Sequence, residues 1–206
     1  MKTVLSRLSV LIIAFLFFNC SSDSGDTPCV PITCLNGGTS TPECGCNCPQ
    51  GYTGSDCSTQ ITPTKITITK IRVKYLPNTT TTGGYWDITG LNPTNASPDI
   101  LVTMDNSSFT EIYRSTTYYK NVISDGATYY DFVPSTPISI TSVNSVFILN
   151  LWDYDGADSN FNDDIDDNMG FVGDYVYSST GGFPSTITVS DTTIPLSFEL
   201  TLSYTW

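Results

Sequence analysis

Seven aspartates crowd into the fifteen residues from 153 to 167: Asp153, Asp155, Asp158, Asp163, Asp164, Asp166 and Asp167. No Lys or Arg occurs between 121 and 206, so no base nearby in the sequence can neutralise them. Crowded carboxylates repel one another and resist ionisation unless a cation or a distant partner intervenes. Calcium suits them, being a hard ion that takes ~6–8 oxygen ligands. Softer ions are disfavoured, because the chain has no histidine and no cysteine near this stretch. The apolar run Val146, Ile148, Leu149 and Leu151 reads as a buried strand that delivers Asp153 and Asp155 at its end. Two residues apart on a strand, they project to one side and aim two carboxylates at one point. An EF-hand does not fit, since its loop places glycine sixth, whereas Gly156 comes fourth counting from Asp153.

The second chemical group is cysteine. Six of the seven lie at Cys29, Cys34, Cys44, Cys46, Cys48 and Cys57, and the seventh is Cys20. Ahead of it, Lys2 and Arg7 form a basic start and Leu8–Phe18 an apolar run. The run is short of the ~20 residues a membrane-spanning helix needs and fits the centre of a secretory signal. Export places the six clustered cysteines in an oxidising compartment, where such density in a segment too short for a core implies a disulfide scaffold rather than zinc. Six cysteines allow fifteen pairings, and spacing alone chooses none.

Two resemblances attach to these residues. Phe17-Phe18-Asn19-Cys20 resembles a bacterial lipoprotein processing site, and Ser21-Ser22-Asp23-Ser24-Gly25-Asp26 resembles the acidic tether of surface lipoproteins of the Bacteroidetes type. That implies a signal peptide over 1–19, acylation of Cys20, a tether over 20–28, and an extracytoplasmic chain anchored to the outer membrane or cell surface. More than one acyl chain makes such an anchor stable. Cys34-Leu35-Asn36-Gly37-Gly38-Thr39 and Cys46-Asn47-Cys48-Pro49-Gln50-Gly51-Tyr52-Thr53-Gly54-Ser55-Asp56-Cys57 resemble an EGF-like domain, spanning 29–58. The resemblance implies pairs Cys29–Cys44, Cys34–Cys46 and Cys48–Cys57, although the third cysteine of that family usually follows the Asn-Gly-Gly-Thr turn at once. The stretch Gly25-Asp26-Thr27-Pro28 lacks the acidic signature of calcium-binding members, so this module is expected to be a rigid spacer without calcium.

The elements that must hold the aspartates lie in 62–206. Apolar residues alternate at Phe198, Leu200, Leu202, Tyr204 and Trp206, the period of a half-buried strand. Further strands are expected at Lys65–Tyr75, Ile100–Met104, Thr128–Val133, Ser145–Tyr154, Phe171–Tyr177 and Thr186–Ser190. In the first, Ile66 and Ile68 share one parity while Ile71, Val73 and Tyr75 share the other, which implies a bulge. No helical period stands out. About eight strands separated by Gly, Pro, Asn and Thr predict a mainly β chain, with an antiparallel β-sandwich behind the cysteine module.

Trp152-Asp153-Tyr154-Asp155, the acidic loop and Asp167-Asn168-Met169-Gly170 resemble the C-two domain, a β-sandwich family that commonly binds calcium and phospholipid. Upstream, Trp86-Asp87, Gly90 and Ser97-Pro98-Asp99-Ile100-Leu101-Val102 resemble its first calcium loop, with Leu91–Ala96 inserted. The resemblance implies calcium ligands at Asp87, Asp99, Asp153, Asp155 and Asp167, with Asp164 or Asp166 as alternates for the last. It also implies an anionic lipid phosphate completing the ion's shell, although the anchor would already hold the chain on a membrane. Lys70, Arg72 and Lys74 share one strand face and are the candidate basic patch.

Composition removes other functions. Eight Lys and Arg against twenty Asp and Glu repel phosphate backbones, so no nucleic-acid partner is expected. Without histidine, a Gly-x-Ser-x-Gly elbow or a phosphate-cradling loop, no enzyme is expected. The expectation is a surface-anchored, calcium-binding adhesion or binding lipoprotein. Two alternatives stand beside it. One is a carbohydrate-binding sandwich using Tyr113, Tyr118, Tyr119, Tyr129 and Tyr130; the other is a structural surface protein with a solvated acidic loop.

Overall fold

The computed structural model describes residues 30–87, 96–156 and 166–206. All regular structure in them is β. The cysteine-rich module carries two small hairpins, β1 (Thr39–Ser40) with β2 (Cys46–Asn47) and β3 (Tyr52–Thr53) with β4 (Thr59–Gln60). Cys34 pairs with Cys46 and Cys48 with Cys57. Cys44 is also disulfide-bonded; Cys29, the partner expected for it, lies outside the described residues, as do Cys20 and the whole signal and tether.

Nine strands among the described residues build the sandwich. They are β5 (Lys65–Tyr75), β6 (Ile100–Asp105), β7 (Glu111–Arg114), β8 (Tyr130–Phe132), β9 (Ile138–Ile140), β10 (Val146–Asp153), β11 (Asp167–Tyr175), β12 (Thr186–Ser190) and β13 (Ser197–Thr205). One sheet runs β11-β10-β6-β7; the other runs β12-β13-β5-β8, with β9 also on β5. Every pairing is antiparallel. The alternation read from the sequence puts Phe198, Leu200 and Leu202 of β13 and Ile71 and Val73 of β5 against Leu149, Leu151, Val102 and Met104 of the opposite sheet, all buried.

The parity slip in β5 is a bulge. Lys70 pairs with Thr201 and Ile68 with Leu202, so Thr69 is the extra residue, exposed, and Ile66, Ile68, Ile71 and Val73 all face inward. The strand expected over Phe171–Tyr177 begins earlier, at Asp167, and β7 and β9 were not expected at all. Three of the four residues of β7 are exposed, and β9 has three residues, so neither carries a readable apolar period.

The basic face of β5 is an ion-pair ladder rather than an open patch. Lys70 and Arg72 bind Asp131, the latter at 2.6 Å, while Arg72 and Lys74 approach Glu199. The Arg72 guanidinium holds the Asp131 carboxyl below its ordinary range. Asp131 lies on β8 and Glu199 on β13, the two strands that flank β5, so the cations meet acids that only the sheet order brings near.

The module does not hang from the sandwich by a loose linker. Gln60 donates to the Ser178 carbonyl at 2.8 Å and accepts the Gly182 N–H at 2.9 Å. The Trp206 indole donates to the Ile61 carbonyl at 3.0 Å. Between these bonds Phe183 sits against Tyr52 of the module and Tyr177, Tyr204 and Trp206 of the sandwich. Aromatic packing flanked by satisfied backbone groups fixes one body against the other.

Candidate metal centre

The site is built at the end of β10. Phe147, Leu149 and Leu151 face the core, and the same parity carries Asp153 inward, where it is fully buried. One oxygen, Oδ1, accepts the Asp99 N–H at 2.8 Å. The other, Oδ2, is buried and has no hydrogen-bond partner. An orphaned buried carboxylate oxygen is costly unless something supplies positive charge or a proton.

Around it the carboxylates of Asp87 and Asp155 converge, so that oxygens of Asp87, Asp153 and Asp155 all lie within 4.8 Å of one another. β10 ends at Asp153, so Asp155 does not reach the site by strand alternation. The chain turns instead: Tyr154 donates its N–H to the Asp99 carbonyl at 2.6 Å, and Gly156 adopts a left-handed φ of 58°. That φ is one glycine takes without steric cost. Asp87 is steadied by its neighbour Trp86, whose indole donates to the Pro77 carbonyl at 2.8 Å while the ring packs on the core. Asp99 stands just before β6, its Oδ1 accepting the Asn121 N–H at 2.7 Å.

Electrostatics follow the geometry. Burial, then the Asp87 charge, pushes the Asp153 carboxyl up to about 8, against the pull of the Asp99 N–H. Burial, then the Asp99 charge, raises Asp87 to about 6. Both groups resist ionisation where they stand, and a divalent cation would reverse that preference.

Asp87, Asp153 and Asp155 are thus brought together, with Asp99 holding Asp153 through its backbone. Asp167 pairs with Asp153 across the β10–β11 ladder, but its side chain is exposed and outside the three-carboxylate group. Asp166 is engaged elsewhere: Arg114 of β7 reaches its Oδ2 at 3.6 Å. No base lies near the acidic stretch in the sequence, but a distant one on another strand meets it. Asp158, Asp163 and Asp164 lie outside the described residues. Sequence reasoning missed the rim, where Tyr118 packs on Tyr154 at 4.6 Å and Lys120 lies over the Tyr118 ring. The alternation Asp153-Tyr154-Asp155 was its one visible sign.

Of the five tyrosines considered as a sugar platform, Tyr119, Tyr129 and Tyr130 are engaged in other contacts. Tyr119 meets Tyr130 edge-on and donates to the Asp131 carbonyl; Tyr130 donates to the Ile123 carbonyl; Tyr129 lies under Arg72.

The described residues thus form an antiparallel sandwich with three converging carboxylates at one end. Solved structures similar to this chain include one described as the structure of a C2 domain, at 12% identity and a TM-score of 0.40, covering 69% of this chain and 98% of that one. A C2 domain protein from Ramazzottius varieornatus has 10% identity and a TM-score of 0.38, covering 70% of this chain and 91% of that one. Human GIVD cytosolic phospholipase A2 has 15% identity and a TM-score of 0.42, covering 70% of this chain and 17% of that one. No protein-family model and no curated protein matches the chain.

Proposed function

We propose that this chain is a surface-anchored, calcium-binding lipoprotein that acts as a binding or adhesion module and not as an enzyme. The observation that carries the metal half is Asp153: its unpartnered, buried Oδ2 lies with Asp87 and Asp155 carboxylates, an arrangement that is unfavourable in its ionised form without a cation. These three would hold the ion, and calcium would supply the positive charge that lets all three ionise. Three carboxylates leave part of its shell to water or to oxygens of a ligand. Export, acylation of Cys20 and an EGF-like spacer would place the site outside the cell, where calcium can be plentiful enough to fill a weak site.

The β5 ladder bears on the ligand. With Lys70, Arg72 and Lys74 committed to Asp131 and Glu199, that face offers little to an anionic bilayer beyond the ion itself. Anionic lipid therefore enters the proposal only through the metal.

Calcium titration of the full chain, read by heat and by melting temperature, tests the metal half. Calcium at about a hundredfold its Kd stabilises the folded chain by about 2.7 kcal/mol. Asp155→Asn is expected to weaken this response by an order of magnitude or more. No heat and no thermal shift at millimolar calcium would sink the reading. Pelleting with phosphatidylserine vesicles, with and without chelator, separates lipid docking from calcium binding alone.

A further inference from the structure

On one side of the sandwich the edge strands of the two sheets, β11 of one and β12 of the other, stand beside each other. Between the end of β11, the turn after it and β12 lies a groove of about 630 Å³. Asp153 pairs with Asp167 at one end of β11 and Val146 with Tyr175 at the other. Seven residue steps along β10 span that distance, since β11 has a bulge at Met169, and separate the groove from the aspartates by roughly 23 Å.

Its lining is mixed, with Val176, Pro184, Ile187 and Val189 as apolar wall. Asn144, Asp174 and Thr188 supply hydrogen-bonding side chains, and Tyr175, Tyr177 and Tyr204 supply rings. Among the described residues neither Lys nor Arg lines it, and Asp174 is its one charged residue. The Tyr175 N–H donates to Asp174 Oδ1 at 2.7 Å, which fixes that carboxylate at the rim beside a half-exposed ring. Tyr204 spends its hydroxyl on the Pro184 carbonyl. Tyr177 is 8% exposed, and its hydroxyl is buried with no hydrogen-bond partner. Ser178, Ser179, Gly181 and Gly182 also line it, and Gln60 of the module holds this floor by its bonds to Ser178 and Gly182.

An anionic ligand would find a carboxylate and no counter-charge here. An extended peptide could pair along the edges of β11 and β12, and a strand-forming peptide library separates it from a sugar. A neutral polyhydroxyl ligand matches each feature: C–H faces for tyrosine rings, hydroxyls for Asp174 and Asn144, and a preformed concave site of small-ligand size. We propose that this groove binds a neutral oligosaccharide, stacked on Tyr175 and hydrogen-bonded by Asp174 and Asn144, independently of the aspartate centre. The module's share is positional, since Gln60 sets the floor without lining the groove.

The full chain, in chelator, is applied to an array of neutral glucans, mannans, xylans and galactans beside uronate and sulfated glycans and a strand-forming peptide library. The expected result is retention of at least one neutral class. Tyr175→Ala should weaken its Kd about tenfold, and Asn144→Ala should also weaken it, with the calcium-induced thermal shift unchanged in both. Because Tyr175 is half exposed, its loss leaves the fold intact, which the melting curve verifies. Binding of acidic glycans or peptides alone, no binding, or full affinity in both variants overturns the proposal. None of these outcomes depends on whether the aspartates take calcium.

Discussion

At pH 8 without calcium, Asp153→Asn is expected to melt at a higher temperature than the parent chain. The usual effect of cutting a buried hydrogen-bonded acid is the reverse, so the prediction is a sharp one. Asp153 is fully buried and its carboxyl sits at about 8, raised by burial and by the Asp87 charge. In the unfolded chain it ionises near pH ~3.9. Between these values the folded state holds the extra proton, so this contribution to stability is complete below pH ~4 and is lost as pH rises through about 8. Asp87, at about 6, adds a loss of the same sign as pH rises through that value. The Asp153 loss amounts to something on the order of 3–5 kcal/mol. Asparagine carries no charge at any pH, keeps an oxygen for the Asp99 N–H, and offers its amide to Asp87 or Asp155. The gain should be about 5–10 °C at pH 8, shrinking towards zero at pH 5. Saturating calcium should invert the order, because only the parent chain then recovers the cost of charging the site. Thermal melts at both pH values, with calcium and with chelator, read all of this. A variant that melts lower at pH 8 in chelator would refute the account, and equal calcium shifts in the two chains would place the ion elsewhere.

The same residues show where the sequence could be read and where it could not. Trp152-Asp153-Tyr154-Asp155 announced itself because charge at the end of an apolar strand is expensive, and the structure does bring Asp153 and Asp155 to one point. The means differed: a turn through Tyr154 and Gly156 does what strand alternation was expected to do. The β5 bulge was legible because a period of two has no other way to change parity. Contacts between distant strands left no local trace. Arg114 and Asp166 lie far apart in sequence, on or beside strands at opposite edges of one sheet, and their side chains still meet. Likewise the cations of β5 read as an open face until the order of β13, β5 and β8 set Asp131 and Glu199 beside them. Phe183 lies between the expected strands, inside Gly181-Gly182-Phe183-Pro184 where no apolar period marks it, yet it is the residue on which the module is seated.

That seat gives the second large effect. Gly51→Ala is expected to cost about 3 kcal/mol and to uncouple the module from the sandwich. Gly51 has φ 90°, in the left-handed region, and a Cβ there would stand 2.5 Å from both Phe183 Cε2 and Trp206 Cζ2. Neither ring can simply swing away. Phe183 is held among Tyr52, Tyr177 and Tyr204, and the Trp206 indole is hydrogen-bonded to Ile61. Backbone strain of about 1–2 kcal/mol and overpacking of about 1–3 kcal/mol therefore add at one position. Gly37→Ala isolates the first contribution, since Gly37 has φ 81° and nothing within 4 Å of a Cβ. It should cost only about 1–2 kcal/mol and leave the seat intact. Calorimetry of the three chains tests the difference: one transition for the parent and for Gly37→Ala, and a lower or split transition for Gly51→Ala. Cleavage by protease near Ile61–Thr64 should rise only in the last. Equal costs at both glycines would mean that the aromatic seat contributes nothing. A flexible junction would then be the better description, and the Gln60 bonds at 2.8 and 2.9 Å would have to fix the floor of the groove alone.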